Sequence, residues 1–328
     1  MRVLVTGGAG YVGSVTVEAL VAAGHDVVVL DDLSTGRGQA DLAGARLVQG
    51  TYGDRAAVAT LLTESQTDAV LHCGARSLVG ESIAQPARYF QANVVGGIAL
   101  LDAMRDAGVQ RLVISSTAAV YGVPDVVPIP ENAPLAPINP YGETKREFEA
   151  AAAWYGSAYD LRSASLRYFN VAGASARNGE RHDPETHLIP NILAAAEAGR
   201  PVRLYGDDYP TRDGTPIRDY LHVVDLGAAH LAALEATHPG DPRTDSQLVC
   251  NLGSGDGATV KEVLAAAERV VGRPIAREVA PRRAGDPPAL VAAIGKAADV
   301  LGWRPVRSSL DEIVGSAWAF RQRAATAS

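Results

Sequence analysis

In "NPYGETK", residues 139–145, a tyrosine follows a proline and a lysine stands four places on. The chain has three lysines, Lys145, Lys261 and Lys296, among its 30 basic residues, so a lysine here is a choice over arginine. Pro140 predicts a helix start, and a spacing of four puts Tyr141 and Lys145 on one face of that helix. A free tyrosine titrates near ~10 and is a poor base at neutral pH. A neighbouring ammonium, or an oxidised nicotinamide ring, favours its phenolate. Tyr141 can then take a proton from a substrate hydroxyl while hydride leaves the same carbon. Lys145 has a compact charge that can also bond a nicotinamide ribose. Thr117, at the end of "RLVISST", offers a hydroxyl to hold the reacting oxygen. The bland alternative is an amphipathic helix with an exposed Tyr and Lys.

Hydride chemistry needs a cofactor, and the first residues point to one. In "VTGGAGYVG", Gly7, Gly10 and Gly13 recur every three residues between a strand pattern and a helix pattern. Such a turn lets the backbone approach a pyrophosphate at a helix N-terminus. Asp31 ends the next strand, 18 residues past Gly13. A carboxylate there binds both ribose hydroxyls and repels a 2′-phosphate, so NAD is expected over NADP. Ser34, Thr35 and Gly36 are expected on the adenosine side. Asn93, read as opening a long helix, is a candidate for a cofactor ribose or a helix cap.

The elements that must position these residues alternate. Strands are expected at "RVLVTG", "DVVVLDD", "ARLVQG", "DAVLHCG", "RLVISST" and "LRSASLRYFN". Helices are expected over 14–23, 56–64, 89–107 and 141–155. This alternation predicts an α/β fold, a Rossmann-type doubly wound parallel sheet with right-handed crossovers. After Asn170 the pattern loosens. Long loops over 174–190 and 206–214 are of the kind that usually carry function. A smaller, mixed α/β C-terminal lobe for substrate is expected there. The expected division is 1–169, with part of 222–250, for NAD, and 170–221 with 251–328 for the substrate.

Composition excludes other classes. The chain has 328 residues, 47% hydrophobic and 20% charged, with net charge −7. No basic run suggests nucleic acid. No apolar stretch is long enough to span a membrane, and with "RVLVTGG" directly after Met1 no signal peptide is expected. Two cysteines, Cys73 and Cys250, give neither a disulfide framework nor metal-ligand spacing. A cytoplasmic location and no metal are expected.

The chain resembles the extended short-chain dehydrogenase/reductase family and, within it, the UDP-galactose (UDP-glucose) 4-epimerases. Besides the motifs above, "SSTAAVYG", "LRYFNVAGA", "YGDDYPTRDGTPIRDYLHVVDL", "NLGSGDG" and "RRAGDP" carry the likeness along nearly the whole length. The Tyr-x-x-x-Lys pair and the glycines mark only the broad superfamily. The resemblance implies an isomerase that keeps NAD bound, takes hydride from the sugar C4, and returns it to the other face. It implies cofactor contacts from Gly7, Gly10, Tyr11, Val12, Gly13, Asp31, Asp32, Leu33, Ser34, Thr35 and Gly36. Further contacts are implied from Thr51, Tyr52, Cys73, Gly74, Ala75, Arg76, Asn93, Tyr141, Lys145, Tyr168 and Phe169. For a UDP-sugar it implies Thr117, Asn170, His187, Leu188, Arg203, Tyr205, Arg218, Tyr220, Arg283, Asp286 and Leu290. It also implies a homodimer, with helices over 93–107 and 141–155 paired across a two-fold axis.

Departures from the family pattern carry information. Thr51 stands where the family usually has an Asp that meets the adenine; its hydroxyl can substitute, or Asp54 can reach in. Cys73 replaces a larger Phe, and His187 replaces a common Asn. Leu290 lies where the family varies its sugar pocket, which favours UDP-glucose and UDP-galactose and leaves UDP-N-acetylhexosamines open. Ala118 and Ala119 occupy the places where 4,6-dehydratases carry an acid pair, which argues against dehydration. A UDP-glucuronate enzyme and a non-catalytic NAD-binding regulator are the other readings.

Overall fold

The computed structural model describes residues 1–35, 40–243, 246–283 and 285–326. Six strands lie where the alternation predicts them: β1 (Arg2–Thr6), β2 (Asp26–Asp31), β3 (Arg46–Gln49), β4 (Ala69–His72), β5 (Arg111–Thr117) and β6 (Arg162–Tyr168). A seventh, Gln247–Leu252, was not expected as a strand. It joins the edge beside β6, so the order is Gln247–Leu252, β6, β5, β4, β1, β2, β3, and every pairing is parallel. The order reverses between β1 and β4, which opens a crevice beyond their carboxyl ends.

Alternation along the strands builds the core. Val3 and Val5 face one layer, with helix α1 (Tyr11–Ala22) and helix Val223–Ala236. Leu4 faces the other, with α2 (Arg55–Glu64) and helices Gly96–Asp106 and Pro140–Tyr159. Each Val or Leu taken out of water contributes roughly 1.5–3 kcal/mol, so both faces of the central strands resist a register slip. A third core gathers helices Leu188–Ala198, Val260–Val271 and Leu310–Thr326. Ala297, Leu301 and Trp303, though late in the chain, pack in the first core.

Two expected elements divide. The run read as one sixth strand breaks after Tyr168, and Asn170–Ala172 pairs instead with Tyr220–His222. The helix read over 89–107 begins at Pro86 and continues through a π-helical turn at Phe90–Val95. Asn93 therefore lies inside the helical run, not at its start. No described helix is long and apolar enough to cross a membrane.

Candidate active site

The glycine turn comes first along the cleft. Gly7 has φ +70°, and a Cβ on it would lie 2.5 Å from the Gly74 backbone. A Cβ on Gly13 would lie 2.1 Å from the Gly7 carbonyl oxygen. Only glycines let β1, β4 and α1 approach this closely. Gly10 caps α1 with no side-chain acceptor, so the first helical N–H groups stay available to an anion. Asp31 accepts from Ala9 N–H and Leu33 N–H, each at 2.9 Å, fixing the turn against the end of β2. This cradle fits a dinucleotide pyrophosphate with a carboxylate beside it.

The tyrosine helix is fixed at three points. Asn139 accepts from Gly142 N–H at 2.8 Å, and Pro140 stands in the first turn. A Cβ on Gly142 would lie 2.5 Å from the Ala119 carbonyl oxygen, so the helix rests directly on the turn after β5. Lower down, Glu149 pairs with Arg167 of β6 at 2.6 Å, both side chains 5% exposed, and accepts from the Ser116 hydroxyl. Arg167 also donates to the Tyr121 hydroxyl, which donates to Asn251 on the seventh strand. Tyr141 and Lys145 are thereby held on one buried face beside Thr117.

Burial dominates the electrostatics of this face. Lys145 Nζ donates to the Ser115 carbonyl at 2.8 Å, and burial lowers its pKa to about 8. Burial raises the Tyr141 phenol to about 12, with the Thr117 hydroxyl pulling the other way. Burial is thus the largest influence on both groups, and the Ser115 bond uses one of the three ammonium donors. Thr117 accepts from Ala119 N–H at 3.1 Å, which aims its hydroxyl. Cys73 accepts from Ser115, and burial raises its thiol to about 11, so it stays protonated.

One continuous cleft of ≈2540 Å³ joins these groups to the second half of the chain. Of the expected site residues that are described, all but Leu33 and Asn93 line it. Gly36 lies outside the described residues. Leu33 is exposed and off the cleft. Asn93 is buried behind the wall. It accepts from Arg76 N–H and donates to the Arg76 carbonyl and to Thr144 Oγ1. It positions the loop after β4 and is not on the cleft surface. Asp54 is likewise spent, capping α2 by accepting from Ala57 N–H, while Thr51 does line the cleft.

On the far wall Arg218 pairs with Asp286, so that carboxylate aims a guanidinium. Arg283 stacks over the Tyr205 ring at 4.2 Å. The loop before helix Leu188–Ala198 adds Glu180, His182 and Glu185 beside His187. Sequence reading singled out only His187 there. The signal that would have found the others is the "ERHDPETH" run itself, with two histidines and two glutamates in eight residues.

The model of the NAD dependent epimerase/dehydratase family matches residues 3–251. The chain belongs to that family. Among members of this epimerase/dehydratase family, it is 51% identical to the UDP-glucose 4-epimerase of Corynebacterium glutamicum, over 98% of this chain and 95% of that protein. The crystal structure of UDP-glucose 4-epimerase from Brucella ovis in complex with NAD superposes with TM-score 0.92 at 43% identity, covering 97% of this chain and 98% of that one. The Stenotrophomonas maltophila UDP-glucose 4-epimerase, with bound NAD and formylated UDP-arabinopyranose, superposes with TM-score 0.94 at 38% identity, covering all of both chains.

Proposed function

We propose that the chain is an NAD-dependent isomerase that inverts C4 of a UDP-hexose, interconverting UDP-glucose and UDP-galactose. The observation that carries this is the cleft itself. It places a glycine cradle, a buried Thr–Tyr–Lys set and an arginine-bearing wall on one surface. NAD, when bound, accepts hydride from the sugar C4 and gives it back.

The chain's own residues do the rest. Gly7, Gly10 and Gly13 with the start of α1 hold the pyrophosphate, and Asp31 the adenosine ribose. Thr117 holds the C4 oxygen. Tyr141 takes the hydroxyl proton, leaving a 4-keto sugar, and returns it after the ring has turned. Lys145 bonds the nicotinamide ribose and adds positive charge beside the phenol. Arg218 and Arg283 offer guanidinium forks to the diphosphate. Firm nucleotide binding with a loosely held hexose retains the keto sugar while it reorients. Ala118 and Ala119 line the cleft beside Thr117 and offer no acid or base, so the chemistry stops at C4.

In this reading, 1–169 with part of 222–250 serve NAD and 170–221 with 251–328 the UDP-sugar, except that Ala297, Leu301 and Trp303 pack in the first core. A homodimer is part of the reading, supported by exposed Val95, Ile98 and Trp154 on the helices expected to pair. A cytoplasmic location accords with two unpaired cysteines. Incubating the purified protein with UDP-galactose and resolving the products tests the function. UDP-glucose is expected. Bound NAD without turnover on any UDP-sugar would instead mark a non-catalytic regulator.

A further inference from the structure

Glu180, His182 and His187 converge on the cleft wall, with one donor atom from each lying within 4.8 Å of the others. His182 Nδ1 is 2.6 Å from Glu180 Oε1, yet that buried nitrogen has no hydrogen-bond partner in acceptable geometry. His187 Nδ1 lies 2.7 Å from Glu185 Oε1 and 3.7 Å from Glu180 Oε2. The nearby Arg181 turns away, its guanidinium 5.0 Å over the Phe320 ring, and does not neutralise the carboxylates. The cluster lines the same cleft as Tyr11 and the glycine turn.

Two carboxylates stand on a wall meant for a diphosphate, with, among the described residues, only the two imidazoles facing them to offset their charge. At short range like charges cost several kcal/mol unless a cation stands between them. Two imidazoles and a carboxylate are the donor set of a first-row divalent cation. Three protein ligands leave a coordination position open, and phosphate oxygens are good ligands for such an ion.

We propose that Glu180, His182 and His187 bind one first-row divalent cation, with Glu185 orienting His187 through its ring nitrogen, and that the open position takes an oxygen of the nucleoside diphosphate. The ion replaces repulsion by a bridge between the loop and the diphosphate. Only the diphosphate half of this inference rests on the functional reading above; ion binding by the three side chains does not.

The test uses Co²⁺ on the full chain after chelation and dialysis. Saturable uptake of about one ion per chain is expected, with visible bands of a low-coordinate site that shift when UDP is added. His182→Asn and Glu180→Gln should each weaken uptake by about tenfold or more, since even an outer partner of a metal ligand costs that much. Circular dichroism checks that the variants are folded. Pulsed EPR of the wild-type chain with Cu²⁺ needs no variant and should show two imidazole nitrogens. Absence of saturable uptake, or Cu²⁺ signals without imidazole, overturns the site. Uptake with bands indifferent to UDP overturns the diphosphate bridge alone. Failure to invert UDP-galactose with Co²⁺ uptake intact overturns the functional reading and leaves the ion site standing.

Discussion

Thr117, Tyr141 and Lys145 stand on the end of a seven-residue strand and the first turns of a 20-residue helix. Arg218, by contrast, stands on a two-residue strand, and Arg283 and His187 on loops. The first group is buried and tied down by Gly142, Asn93, Glu149 and Ser115. The second is held from loops and short strands, with Asp286 and the Ile217 carbonyl on Arg218, Tyr205 under Arg283, and Glu185 beside His187. The difference matches the two tasks. Proton transfer needs a fixed oxygen, because a misplacement of about 1 Å can cost ~10²-fold. A sugar that must turn over needs a wall that grips the nucleotide and leaves the ring free.

The largest expected effect tests the rigid side. Tyr141→Phe removes the proposed proton acceptor and keeps the packing. Epimerisation should fall by about 10²–10⁴-fold, while NAD content and the circular dichroism spectrum stay unchanged. A variant that inverts C4 at the wild-type rate would move the chemistry elsewhere.

Next comes the foundation under that tyrosine. Glu149→Ala leaves Arg167 buried and uncompensated, and breaking such a pair typically costs about 3–5 kcal/mol. Urea unfolding should show the loss as a lower midpoint at an unchanged slope. On the far wall, Arg218→Leu removes the proposed charge-assisted contact to the diphosphate, worth roughly 1.5–3 kcal/mol. UDP should bind on the order of tenfold to a hundredfold more weakly, by calorimetry, with no loss of global stability of the size seen for Glu149→Ala. If both variants lowered the unfolding midpoint alike, the contrast between the two walls would fail.

What was legible in the sequence follows the same line. The glycine turn, Asp31, and the Tyr141–Lys145 pair could be read because their spacing is local and each spacing has one mechanical meaning. The seventh strand could not. Its place depends on β6, some eighty residues earlier. Asn93 was misplaced because an apolar helical pattern continues smoothly through a π turn, whose extra residue only backbone geometry reveals. The Glu149–Arg167–Tyr121–Asn251 network was invisible because its members come from four separate elements. The four-residue spacing put Lys145 on the right face but could not show its bond to the Ser115 carbonyl, because spacing tells which side chains share a face, not which carbonyl a buried ammonium meets.

That last point gives the smallest and most specific effect. Burial holds Lys145 at about 8 in the folded chain, against ~10.4 for an unperturbed lysine. Below about pH 8 both states carry the proton, and the native state bears the full cost of a buried charge. Between about 8 and 10 the folded chain releases a proton that the unfolded chain keeps. Unfolding then takes up a proton, so a rise in pH stabilises the native state. Lys145→Met removes this titration. The unfolding free energy of the wild type, measured against Lys145→Met in urea, should therefore rise relative to the variant from pH 8 to pH 10 and stay level below pH 8. A difference that is constant across the range would mean the ammonium is better solvated than its burial implies. A difference running the other way would mean that it is paired with an anionic phenol, and the strength of the Tyr141–Lys145 coupling would have to be raised accordingly.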